Sequence, residues 1–243
     1  MARCVLCRWL QSVACAESDQ LYAAVWSASA DWEARFTDEH GFWPDETDEN
    51  AELIDRARAL QGADPEAALA LYRTAADQGS PEALELVAWH HQTGTAVAAD
   101  PNLATEWLRR AIAAGAWRAT IAYARHLDAL GHADPADEVL QDGIDAGFAP
   151  AFFWLGYLRA RRDPSHATRR AVRPLIEHAA ARGHPLAEWT VARWMARGNL
   201  GIGNIVAGLR RLFALAEQLR RAPEANPPAT PAAGSGTVAQ PSG

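Results

Sequence analysis

The chain has 243 residues, 49% of them hydrophobic, enough to bury one large core or a long continuous one at about 100 to 200 residues per domain. Its formal net charge of −7 repels phosphate backbones and anionic lipid surfaces, so a nucleic-acid partner is not expected. All 23 basic residues are arginine, which excludes a Schiff-base lysine and the phosphate-binding loop that ends in Gly-Lys-Ser/Thr.

Residues 1–16, MARCVLCRWLQSVACA, contain all the cysteines: Cys4, Cys7 and Cys15. A lone C-x-x-C with no second pair and no nearby histidine is neither a disulfide framework nor a zinc motif, so ordinary thiols are expected. Ala14-Cys15-Ala16 fits an A-x-A cleavage pattern, yet Arg8, Gln11 and Ser12 interrupt the apolar stretch a signal peptide needs. A cytoplasmic location is the expectation, with a secreted or periplasmic one if residues 1–16 are cleaved. No apolar run approaches the length of about 18 residues that a membrane span needs.

Residues 17–49 are expected to form a helical N-terminal cap and an acidic loop, GFWPDETDEN. Helices within Asp19–Arg35 would pack on the first repeat, with Trp26, Trp32 and Phe36 covering its exposed end. The charge is uneven: 13 acidic residues stand against five arginines up to Asp64, and five against ten from Asp163 onward.

From residue 50 to 221 the chain is periodic. Gly79, Gly115, Gly147 and Gly183 are spaced by 36, 32 and 36 residues. Four residues after each stands alanine (Ala83, Ala119, Ala151, Ala187), and nine after stands a small residue (Ala88, Ala124, Gly156, Ala192) preceded by Val87, Tyr123, Leu155 or Val191. These offsets share one helical face, and a recurring small residue there permits close helix approach. Eight residues before each glycine lie Leu71, Trp107, Val139 and Leu175, and four before lie Ala75, Ala111, Gly143 and Ala179, which predicts a second amphipathic helix. The pairs Asp64-Pro65, Asp100-Pro101, Asp134-Pro135 and Asp163-Pro164 predict its capped start. Residues 222–243, rich in Pro, Ala, Gly and Ser, are expected to be a disordered tail.

The unit from Gly79 to Gly115, with Ala83, Val87-Ala88, Gly94, Val97, Asp100, Ala104, Trp107, Ala111 and Gly115, resembles the Sel-one-like repeat. The next unit lacks four loop residues, and the third carries Arg-Arg-Asp-Pro in place of the glycine-rich loop. The resemblance covers residues 50–221 and implies an all-α fold, a right-handed α/α superhelix of about four to five helix-turn-helix repeats related to tetratricopeptide proteins. It also implies an adaptor for other proteins, with no catalytic residue and no cofactor. The secreted members pair cysteines within each repeat, and this chain has none there.

If tetratricopeptide geometry transfers, the concave groove is lined three, six, ten and thirteen residues after each glycine. Those positions hold Glu82, Glu85, Trp89 and Gln92, then Arg118, Ile121, Arg125 and Asp128, then Phe153, Tyr157, Trp189 and Arg193, with Arg161 and Arg197 one place later. A protein or peptide partner, acidic or aromatic-rich, is expected there, although Phe153 and Trp189 could equally fill space between units. Self-association through the acidic and basic ends is the alternative. A metal-dependent hydrolase is the third reading, and it has little to work with. His90-His91 is expected to be a surface pair at a helix end, while His166, His178 and His184 fall in different elements without a metal-ligand pattern.

Overall fold

A computed structural model describes residues 22–37, 39–41 and 46–221. The expectations for residues 1–16, for part of the acidic loop and for the tail at 222–243 lie outside the described residues. Within them every regular element is helical: α1 (22–37), α2 (Asp48–Leu60), α3 (Pro65–Asp77), α4 (Pro81–Thr93), α5 (Pro101–Ala113), α6 (Trp117–Ala129), α7 (Ala133–Asp145), α8 (Pro150–Arg162), α9 (His166–Ala181), α10 (Pro185–Ala196) and α11 (Ile205–Arg221), with a 3-10 turn at Ile202–Asn204. They form two compact bodies divided within α7. One runs from Thr37 to Val139; the other joins α1, up to Phe36, to the chain from Leu140 to Arg221.

The four marker glycines do what the period demands. Each has a left-handed backbone, with φ of 92° at Gly79, 92° at Gly115, 86° at Gly147 and 83° at Gly183. The amide after each donates to the carbonyl five residues back: Ser80 to Ala75, Ala116 to Ala111, Phe148 to Gly143 and His184 to Ala179, at 2.8 to 3.2 Å. This ends one helix and aims the chain into the next with its last carbonyls satisfied. The following helices α4, α8 and α10 then start with a proline in their first turn, where no amide is needed.

Caps depart from expectation at two of the four Asp-Pro pairs. Asp64 and Asp100 cap α3 and α5, Asp100 accepting from Asn102 N and Leu103 N at 3.0 Å each. Asp134, by contrast, lies inside the first turn of α7. At α9 the cap is Ser165, which accepts from Thr168 N at 3.1 Å, while Asp163 braces Ser165 and Thr168 from outside the helix. A serine two residues beyond the aspartate offers the same acceptor, and the helix starts there.

The packing register is also refined. In the helix before each glycine the expected positions Leu71, Trp107, Val139 and Leu175 are only half-buried. The core residue is one place later, at Tyr72, Leu108, Leu140 and Ile176, each no more than 1% exposed. Adjacent large residues on a helix point about 100° apart, so composition does not say which of the two turns inward.

The small residues nine places after the glycines are buried as expected, at Ala88, Ala124 and Ala192. At Gly156 an added Cβ would lie 2.8 Å from Ile176 Cδ1, so α8 and α9 approach closely there and a larger residue would displace the Ile176 side chain. Ala124 is fully buried, so Ala124→Leu is expected to overpack its body and cost about 1 to 3 kcal/mol. A melting curve unchanged from the parent would contradict the register.

Candidate protein-binding site

In the body from Thr37 to Val139, the expected groove positions lie on α4 and α6. Alternate helices, α2 with α4 and α4 with α6, are cross-linked by charge. Arg58 Nη2 of α2 donates to Glu82 Oε1 at 2.6 Å, and Arg118 Nε of α6 donates to Glu85 Oε2 of α4 at 3.2 Å. These half-buried pairs align these helices, and each contributes little net stability. Trp89 is half-buried against His90, with ring centroids 4.9 Å apart, and its indole Nε1 is buried without an acceptor. Ile121 is 4% exposed and belongs to the core, whereas Arg125, Gln92 and Asp128 are half-buried.

His90 and His91 are not the surface pair the sequence suggests. Both are buried. His90 packs on Tyr72 and Trp89 with neither ring nitrogen bonded, and burial, then His91 and Arg73, push its pKa down to about 4. His91 Nε2 sits 3.3 Å from Arg73 Nη2. The pair lies in the last turn of α4, a helix against which both α3 and α5 pack.

In the other body the expected positions lie on α8 and α10, and α1 lies against them. Tyr22 meets Trp189 with centroids 6.5 Å apart, Trp26 meets Trp154 edge-on at 5.8 Å, Trp32 meets His184 at 4.9 Å, and Phe36 meets Phe148 at 6.2 Å. Between these aromatic contacts run hydrogen bonds. Leu186 N, in the first turn of α10, donates to Ser29 Oγ at 2.8 Å. Trp154 Nε1 donates to Glu33 Oε1 at 2.8 Å, and His184 Nε2 lies 3.0 Å from the same oxygen. His184 Nδ1 accepts from Ala187 N at 3.4 Å, capping α10, so the ring proton sits on Nε2 and points at Glu33.

This corrects two expectations. The helix predicted to cap the first repeat packs instead on α8 and α10, because Trp26, Trp32, Phe36 and Glu33 find complementary rings and donors there. Phe153 is fully buried, stacked between His184 at 4.5 Å and Tyr157 at 5.4 Å, which makes it a packing residue. Trp189 is 7% exposed and its Nε1 has no acceptor. Arg193 is half-buried and makes no ion pair among the described residues; burial, then Arg197, lower its pKa against the opposing influence of Tyr22 and Tyr157. Arg161 and Arg197 are exposed. The residues that sequence reasoning missed are Ser29, Glu33 and His184. The only local signal for them was a histidine directly after Gly183, in the slot where Ser80 caps α4.

Glycine-capped helices in tandem, packed through small residues, define a repeat protein of the α/α solenoid class. Residues 60–80 and 81–115 match the Sel1 repeat, so the body from Thr37 to Val139 contains Sel1-like repeats. The first matched stretch includes α3, in the leading unit. Among solved structures, a Sel1 repeat protein from Oxalobacter formigenes is similar with a TM-score of 0.56 and 22% identity, over 70% of this chain and 73% of that one. The protective antigen c5321 of uropathogenic Escherichia coli, which displays an SLR fold, is similar with a TM-score of 0.51 and 16% identity, over 70% of this chain but only 38% of that one. At such identities the likeness is one of fold. No curated protein sequence matches the chain. Sel1 repeats serve in general as non-catalytic scaffolds that bind other proteins. Among the described residues no three His, Cys, Asp or Glu side chains could hold a metal ion together, and no helix is long and apolar enough to cross a membrane.

Proposed function

We propose that this protein is a non-enzymatic adaptor whose post-glycine helices hold a peptide or protein segment in the concave groove. The observation that carries the reading is α1 itself: an amphipathic helix seated on α8 and α10 through aromatic rings, a serine and a glutamate. A face that takes one such segment from its own chain has the chemistry to take another. On α4 and α6 the corresponding positions carry Trp89, Arg118 and Arg125, one aromatic residue and two arginines. Rigid aromatic anchors ringed by arginine are the composition of interface hot spots.

The test is capture of a partner by the full chain, followed by affinity measurement with two variants of the α4–α6 face. Trp89→Ala is expected to weaken binding by about 2 kcal/mol, mainly through faster dissociation. Arg125→Gln is expected to weaken it less and to flatten its salt dependence, because half-exposed charges act through screened electrostatics. A captured partner that binds both variants as tightly as the parent would remove this face from the proposal.

A second reading, self-association, is favoured by α11. Val206, Leu209 and Phe213 lie on one stripe of that helix and are 60%, 44% and 76% exposed. Aligned on the buried small or β-branched residue of each helix, the same positions in α5 are Asn102, Thr105 and Arg109, and in α9 Arg170, Arg173 and Glu177. An apolar stripe where α5 and α9 are polar suits a second copy of the chain. Sedimentation separates the two forms of this reading: contact through the acidic and basic ends weakens as salt rises, and contact through the α11 stripe does not.

A further inference from the structure

The face formed by α8 and α10 is already occupied, and its occupant shows both what fits and what is missing. Tyr22, Trp26, Ser29, Glu33 and Phe36 follow one another at alternating intervals of four and three, so a single stripe of α1 meets the face. At the Glu33 end the match is complete, since the carboxylate oxygen receives both Trp154 Nε1 and His184 Nε2. At the Tyr22 end it is not. Trp189 Nε1 is buried with no acceptor although Tyr22 lies over the indole, and one turn along α10 Arg193 is half-buried with no ion pair among the described residues. A buried N–H without an acceptor and a desolvated cation without a carboxylate are both costly, and one carboxylate placed between them relieves both. The surroundings favour an anion further, because Arg197 follows on the next turn and this end of the sequence carries twice as many arginines as acidic residues.

We propose that the α8–α10 face is an exchangeable helix site, in which an acidic amphipathic helix of a partner protein replaces α1 and sets a carboxylate against Trp189 Nε1 and Arg193. The proposal rests on the adaptor reading and supplies its partner chemistry. The partner helix repeats the aromatic and glutamate stripe of α1 and carries Asp or Glu at the place of Tyr22. Because Nε1 is covered while Tyr22 is in place, the two helices exclude each other at that end. The docked α1 therefore lowers the apparent affinity for every partner helix, and the extra carboxylate offsets part of that loss.

The test uses a fluorescein-labelled synthetic peptide of residues 20–39 with Tyr22→Glu, and the same peptide with its natural tyrosine as reference. In the full chain carrying Ser29→Ala and Glu33→Gln, α1 is held less firmly, and the substituted peptide is expected to bind at least about ten-fold more tightly than to the parent chain. Adding Arg193→Gln to that chain should weaken the substituted peptide about ten-fold and leave the reference peptide nearly unaffected. Amide exchange over residues 22–37 of the parent chain should speed up as unlabelled substituted peptide is added, a readout independent of how the variants fold. The proposal is overturned by binding without faster exchange, by equal affinity for the two peptides, or by indifference to Arg193→Gln. No binding to any folded chain overturns it as well, and if Trp89→Ala still weakens a captured partner in that case, the broader adaptor reading stands without this site.

Discussion

Replacing Gly208 with alanine is expected to destabilise the body containing α10 and α11 by about 3 kcal/mol, in the direction opposite to helix propensity. In an exposed helix interior the same change stabilises by about 1 kcal/mol, since alanine loses less conformational freedom than glycine. Here the added Cβ would lie 2.3 Å from Ala196 N, 2.7 Å from Met195 Cβ and 2.8 Å from Ala192 O. Two of those three atoms are backbone of α10, which cannot retreat without breaking its own hydrogen bonds, so α11 must lift off. Leu215 and Ala216, which α11 buries, would be exposed with it. Gly203 is the control: a Cβ there meets nothing within 4 Å, and Gly203→Ala should melt like the parent. Urea unfolding of the two variants decides the matter, and equal midpoints would show that α11 does not seat through Gly208.

The period was readable because it is written in residues with few alternatives. Glycine takes the left-handed backbone that ends a helix, and alanine fits where two helix axes come close, so the offsets around Gly79, Gly115, Gly147 and Gly183 locate turns and contacts together. Choices between chemically equal neighbours were not readable. Leu71 and Tyr72, or Trp107 and Leu108, differ only in which side of the helix the neighbouring helices happen to cover.

The seat of α1 was less accessible still. Its contacts join Ser29 and Glu33 to Leu186, Trp154 and His184, separations of 121 to 157 residues, and no local pattern encodes a pairing at that range. Several positions assigned to a groove on repeat geometry lie on the post-glycine helices α4, α6, α8 and α10. What geometry could not supply is that Phe153 is closed in by Tyr157 and His184, and that Trp189 lies beneath a helix from the start of the chain.

Acid is expected to weaken the body from Thr37 to Val139 mainly through His90. In the folded chain its pKa is pushed down to about 4, first by burial and then by His91 and Arg73, so the native ring stays neutral. An unfolded histidine titrates near 6.5. Between those values the unfolded state binds a proton that the folded state refuses, so the stability present above pH 6.5 is lost as pH falls toward 4. A gap of that size corresponds to roughly 3 kcal/mol at the acid end. His91, whose pKa is also lowered by burial and by Arg73, adds in the same direction, with Asp100 opposing. His90→Phe isolates the effect. Neither ring nitrogen of His90 has a partner and the ring packs on Tyr72 and Trp89, so phenylalanine gives up no hydrogen bond and keeps the aromatic contacts. The variant should match or exceed the parent at pH 7.5 and keep most of its stability at pH 4.5, leaving only the slope due to His91 and to groups elsewhere. Urea midpoints for the two chains that fall in parallel from pH 7.5 to 4.5 would show that His90 takes up its proton without leaving the fold, and the buried, neutral assignment would then be wrong.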